Sequence, residues 1–184
     1  MMDGLHSTMQ AVCLRQIPQG LPQLQGFETL QLPLPVVGDG QLLVQVQWLS
    51  LDPFLRAQLG GRYALPCPPL GSIVPGYGIG TVIEDRSGRF APGSVVTGMT
   101  GWVEQAVLDA DTTSLIDATL APVSTAVGVL GIPGLTAWAG VRRILQPKAG
   151  QTILVSTAAG AVGSVVGQLC KAAGCRVIGI AGSA

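Results

Sequence analysis

The residues best suited to chemistry lie between 153 and 183. Ala158-x-Gly160-x-x-Gly163 follows the apolar run Ile153-Leu154-Val155 and opens a helix expected from about Val162 to Ala173. The spacing is that of G-x-G-x-x-G with alanine in the first place. In that pattern the middle glycine leaves the backbone bare for a diphosphate, and the last lets the helix pack close to the strand. The phosphates rest on the free N–H groups of the helix start, where the dipole favours negative charge. Ala158, Ala159, Gly160, Ala161, Val162 and Gly163 are therefore the candidate diphosphate binders. A strand before the loop and a helix after it are the context the pattern requires. The alternative is a Gly- and Ala-rich packing turn that holds nothing.

The next strand, Arg176 to Ala181, runs into Gly182-Ser183. Dinucleotides lacking a 2′-phosphate are commonly held by an Asp or Glu about 20 residues beyond the loop. No acid stands between Gly160 and Ala184. An acid would repel a 2′-phosphate, whereas Gly182 and Ser183 leave room and offer a hydroxyl. This favours NADP(H) over NAD(H), unless residues 182–183 are only a turn and the selector lies elsewhere.

These residues need a strand, a helix and a second strand to hold them. Gly174 suits the helix C-terminus, and the whole run is the size of a βαβ unit. Upstream the pattern is β. Leu42, Val44, Val46 and Trp48 alternate with Leu43, Gln45, Gln47 and Leu49, and Tyr77 to Ile83 alternates with glycines. Val95-Val96 and Trp102 to Leu108 read as further short strands. Short strands between Gly/Pro turns predict a small barrel or sandwich. The period changes near Pro122. Val123 to Leu130 reads as helical, and a second helix is expected to start near Pro133. That helix would present Leu135, Trp138, Val141 or Arg142, and Leu145 on one face, with Arg142 and Arg143 suiting its end. The expected division is a β domain over residues 1–125 and an incomplete dinucleotide-binding domain over 126–184.

Composition removes several classes. Of 184 residues 48% are hydrophobic and 11% charged, which supplies a core and argues against disorder. Net charge is zero without a basic run, which disfavours nucleic acid as partner. Residues 153–170 carry no charge and could span a bilayer by length. Their Ala, Gly, Ser and Val content, with Gln168 inside, fits a buried βα unit better, so no membrane association is expected. The first residues lack an apolar signal core, which points to the cytoplasm. Cys13, Cys67, Cys170 and Cys175 form no ligand-spaced pair, and the single histidine is His6, read as a solvated tail residue. No metal is expected, and without G-x-S-x-G a Ser-His-Asp hydrolase is disfavoured.

Three segments together resemble the zinc-independent medium-chain dehydrogenase/reductases, of the branch with prostaglandin and leukotriene reductases and curcumin-type NADP-dependent enone reductases. They are Leu49-Ser50-Leu51-Asp52-Pro53-Phe54-Leu55-Arg56, Gly131-Ile132-Pro133-Gly134-Leu135-Thr136-Ala137, and Ala158 through Gln168. The likeness covers nearly the whole chain from about residue 10. It implies an α/β protein, with an N-terminal GroES-like β-barrel domain followed by the first βαβ unit of a Rossmann domain. It implies metal-free reduction by NADPH of a C=C bond conjugated to a carbonyl, on a small enone, in a family whose members are often homodimers. Quinone reduction on the same scaffold is an alternative. The resemblance also places Thr136 near the nicotinamide end of the cofactor, and Phe54 and the 98–102 segment, Met99 above all, at the substrate. The family's catalytic tyrosine is expected beyond Ala184. A full sheet would need about 150 residues more, at about 30 per βα unit. The chain is therefore expected to be a fragment, splice form or truncated form, weak in cofactor binding and poor in turnover by itself.

Overall fold

Alternation along β3 (Gln41–Leu49) organises the first half of the molecule: Leu42 and Val44 are fully buried while Gln45 and Gln47 meet solvent. The computed structural model describes residues 8–61 and 66–182, and the chain divides into two units, Met1–Val123 and Ser124–Ala184. His6, Ser183 and Ala184 lie outside the described residues.

In the first unit β3 is the second strand of a five-stranded antiparallel sheet. Its neighbours are β4 (Tyr77–Asp85) and β6 (Gln105–Asp109), with β5 (Val95–Met99) and the short β7 (Ser114–Leu115) beyond β4. Two strands that the sequence pattern missed, β1 (Thr8–Leu14) and β2 (Phe27–Pro33), form an antiparallel pair. Backbone bonds tie β1 to distant segments: Val12 N donates to Trp102 O at 2.8 Å and Val74 N to Val12 O at 2.9 Å. Met9, Ala11 and Cys13 thereby join Leu42, Val44, Val82, Val96 and Leu108 in one core. This is the GroES-like β domain. The strand expected from Trp102 begins only at Gln105; before it, Val103 makes an isolated bridge to Ala11. The helix α1 (Pro53–Leu59) starts on a proline, which needs no helical donor there, and buries Leu55 and Leu59.

The run from Val123 forms only a five-residue 3-10 helix, Val123–Val127, because Gly128 and Gly131 interrupt it. Then come α2 (Ile132–Ala139) and a π-helical stretch, Gly140–Leu145, in which Gln146 N donates to Val141 O at 2.8 Å. The five-residue step brings the Arg143 guanidinium 5.6 Å from the Trp138 ring. The expected apolar face holds only at Val141. Leu135 is 65% exposed, Trp138 44% and Leu145 47%; Pro133, Gly134, Ala137 and Val141 are the buried residues. At Gly134 a Cβ would strike the Val129 carbonyl, so at that position space rather than hydrophobicity chose the residue.

The strand β8 (Thr152–Val155), α3 (Ala161–Ala172) and β9 (Arg176–Gly179) complete the unit, with β8 and β9 parallel. Val141, Cys170 and Cys175 pack with Ile153, Val166 and Val177. Gly174 ends α3 at φ +80°, and Cys175 N donates to Cys170 O at 3.1 Å, a helix stop that a side chain would strain. No described helix is long and apolar enough to cross a membrane.

Candidate functional site: the loop between β8 and α3

β8 delivers the chain to the loop at Val155, and the loop stays attached to β9 as it turns. Ile180 N donates to Val155 O at 2.8 Å and Ala158 N to Ile180 O at 2.9 Å. Thr157 adopts φ +51°, rare for a β-branched residue, and its carbonyl accepts from Gly160 N at 2.9 Å. Ser164 N donates to Gly160 O at 3.0 Å, which begins α3. Gly160 is the N-cap residue, and no side-chain oxygen caps the helix. The first-turn N–H groups of a helix have no partner within it, which holds for Ala161, Val162 and Gly163 at the start of α3.

The glycines have structural reasons that precede any ligand. A Cβ at 160 would lie 2.9 Å from Thr157 Cγ2 and 3.1 Å from Thr157 O, and one at 163 would strike the Thr157 carbonyl directly. The tight Thr157 turn thus runs under the helix start and sets the N–H groups facing outward. The alanine that replaces the first glycine of the pattern is accommodated from the other side. A Cβ at Gly179 would come within 2.7 Å of Ala158 Cβ, so β9 supplies the bare position that the loop lacks.

Ala158 and Gly160 are partly buried, Ala159, Ala161 and Val162 exposed. Gly182 follows β9 with nothing within 4 Å of its would-be Cβ. Ser183, its partner in the sequence reading, is outside the described residues. Thr136 lies in α2 of the same unit, exposed, its hydroxyl donating to Ile132 O at 2.8 Å. In the first unit Phe54 occupies the first turn of α1 at 49% exposure, and Met99 ends β5 at 48%. Tyr77, which the sequence reading did not single out, is the register partner of Met99. Only the β4–β5 pairing shows this, since neither residue's neighbourhood in sequence contains the other. Trp102, grouped with Met99 by the resemblance, turns instead toward a pocket of about 370 Å³ beneath α1, stacked on Phe27 with ring centroids 6.1 Å apart. Its indole Nε1 is buried without a partner, closed off where Gly76 has no side chain. Among the described residues no three His, Cys, Asp or Glu side chains gather as a metal site would require.

Residues 10–116 match the family described as the N-terminal domain of oxidoreductase. The chain is 38% identical over 178 residues to a putative NADP-dependent oxidoreductase of Bacillus subtilis, covering 96% of this chain and 52% of that protein. It is 38% identical over 180 residues to the 2-alkenal reductase (NADP(+)-dependent) of Nicotiana tabacum, covering 94% of this chain and 52% of that protein. The crystal structure of CurA from Vibrio vulnificus in complex with NADPH superposes with a TM-score of 0.87 at 36% identity, over 95% of this chain and 52% of that one. The chain spans about half the length of the curated relatives it matches. With more than half of its residues under the family match and the β-domain and βαβ architecture in place, the chain belongs to the medium-chain dehydrogenase/reductase oxidoreductases that carry this N-terminal domain.

Proposed function

We propose that the chain is the N-terminal half of an NADPH-dependent, metal-free reductase of C=C bonds conjugated to a carbonyl. The observation that carries the reading is the uncapped start of α3 above a loop whose Cβ positions at 160 and 163 must stay empty, beside a strand that ends without an acid. The relatives named for NADP and for 2-alkenal reduction support the cofactor and substrate class. Bound NADPH would supply a hydride to the β-carbon of the enone. The chain's own part is to bind and orient. The N–H groups of Ala161 to Gly163 hold the diphosphate, with Ala158, Ala159 and Gly160 forming the floor. Gly182 and Ser183 admit the 2′-phosphate, and Thr136 lies toward the nicotinamide. Phe54 and Met99 supply apolar surface for the enone. The charge that develops on the carbonyl oxygen must be held by hydrogen bonds where no metal is present.

The test is equilibrium titration with NADPH and NADH, followed by turnover of a 2-alkenal watched at the nicotinamide absorbance, both on the whole reductase of which this chain is half. NADPH should bind at least about tenfold tighter, about 1.4 kcal/mol. Equal affinities would remove the argument from the acid-free strand end, and near-stoichiometric zinc on elemental analysis would remove the metal-free assignment.

A further inference from the structure

A net charge of zero conceals an uneven division: every carboxylate side chain lies in the first unit. All ten Asp and Glu residues lie at or before Asp117, in company with five arginines. Residues 124–184 hold Arg142, Arg143, Lys148, Lys171 and Arg176 and no carboxylate. The first unit is formally −5 and the second +5.

The five cations of the second unit share one end of it. Arg176 opens β9 and is the register partner of Thr152 at the start of β8, whereas the loop leaves the sheet after Val155, about 10 Å further along. Lys171 stands in the last turn of α3, about 15 Å from the loop end of that helix. Lys148 O accepts from Cys175 Sγ at 3.3 Å and from Gln151 N at 3.1 Å, and Arg176 N donates to Gln151 O at 2.8 Å. Arg142 and Arg143 lie in the stretch that follows α2, beside Val141, which packs on Cys170 and Cys175. All five side chains are exposed, and both ion pairs among the described residues are in the first unit. Helix C-termini attract cations, which accounts for Arg142, Arg143 and Lys171 but not for Lys148 or Arg176.

The first unit has the complementary end. Asp109 and Asp85 are register partners of Gln41 and Leu42, and Glu84 is the partner of Leu43. Asp39 stands in the turn just before, where Ala110 N donates to Gly40 O at 3.0 Å, and Asp111 follows Ala110. These five carboxylates are met by two guanidinium groups, Arg86 on Glu84 at 2.7 Å and Arg89 on Asp111 at 2.7 Å.

We propose that the cationic end of the 124–184 unit is a docking surface for the acidic end of the first unit of a second copy of this chain. The surface and its partner lie on different units of the chain, so every copy offers one of each. The strength of the contact is electrostatic, and at about 0.5 M salt, where charges separated by more than about 4 Å are screened, it should be lost.

The experiment is sedimentation velocity of the 184-residue chain over a range of concentrations at about 20 mM and about 500 mM salt. The weight-average mass should rise above 18.8 kDa with concentration at low salt and return to 18.8 kDa at high salt. Arg142→Glu/Lys171→Glu/Arg176→Glu should abolish association, and so should Asp109→Lys/Asp111→Lys. Mixing the two variants should restore it, which also shows that both are folded. Association that ignores salt or survives charge reversal would overturn the proposal, since the exposed apolar residues would then be responsible. A monomer at low salt would overturn it too. So would binding to phosphatidylserine vesicles in place of self-association, which would make the partner a lipid surface.

Discussion

Gly179→Ala isolates the compensation between β9 and the loop. Its new Cβ would stand 2.7 Å from Ala158 Cβ, about 1 Å inside ordinary carbon contact. Neither residue can retreat freely, because Ala158 N bonds Ile180 O at 2.9 Å and Ile180 N bonds Val155 O at 2.8 Å. Overpacking of this kind costs about 1–3 kcal/mol. Ala158→Gly alone should cost only about 0.4–1 kcal/mol, through the freedom it gives the unfolded chain. The double variant restores the glycine to the loop and places the methyl on the strand, so it should recover most of the loss, a coupling of about 1–2 kcal/mol. Amide hydrogen exchange of peptides spanning 152–180 reads the opening of this unit without interference from the β domain. If the double variant equals the sum of the singles within about 0.5 kcal/mol, the two positions do not share one space and the explanation of the alanine in the loop is wrong.

Gly163→Ala drives a methyl onto the Thr157 carbonyl and should weaken NADPH binding at least about tenfold in a fluorescence titration; unchanged affinity would show that the loop is not the phosphate site. Asp85 is held at about 2, chiefly by the Ser87 hydroxyl and then by the backbone N–H groups of Phe90, Ser87 and Arg89, below the ordinary 3.8. Its contribution to stability is therefore complete above about pH 4 and disappears as pH falls toward 2. In urea melts Asp85→Asn should be less stable than wild type at pH 7, the gap closing across that interval; a gap independent of pH would refute the link. Gly76→Ala sets a Cβ 2.8 Å from Trp102 Cδ1 and Nε1, which should push the indole off Phe27, cost about 1–3 kcal/mol and alter the near-ultraviolet circular dichroism. An unchanged spectrum would mean that the ring has room to spare.

The legible parts of the fold were those with a local signal. β3 and β4 announced themselves by alternation, and the βαβ unit by a β-branched run, a glycine loop and Gly174. What stayed hidden depended on distant partners. β1 is held by Val74, Trp102 and Glu104, and nothing in residues 8–14 shows that. The inner face of α2 is hidden in the sequence because Leu135 and Trp138 carry the bulk, while the buried positions are Pro133, Gly134 and Ala137 and a Cβ at 134 would strike the Val129 carbonyl. The loop residues have a spacing that can be read, but Gly179 as the counterpart of Ala158 follows only from the packing of the loop on β9, and Tyr77 as the neighbour of Met99 only from strand register.

The ties of β1 also set a schedule for folding during synthesis. Gln10 N donates to the Glu104 carboxylate across 94 residues of chain. At about 5–20 residues per second the ribosome takes about 5–20 s to make that partner after the strand has been made. Through that interval Met9, Ala11 and Cys13 can meet β2 and β3 but lack Val103, Ala106 and Leu108, which complete their core. The βαβ unit, by contrast, pairs strands only 24 residues apart, Thr152 with Arg176. The βαβ unit can therefore close almost as soon as it has been made, whereas β1 waits about four times as much chain for its last partner.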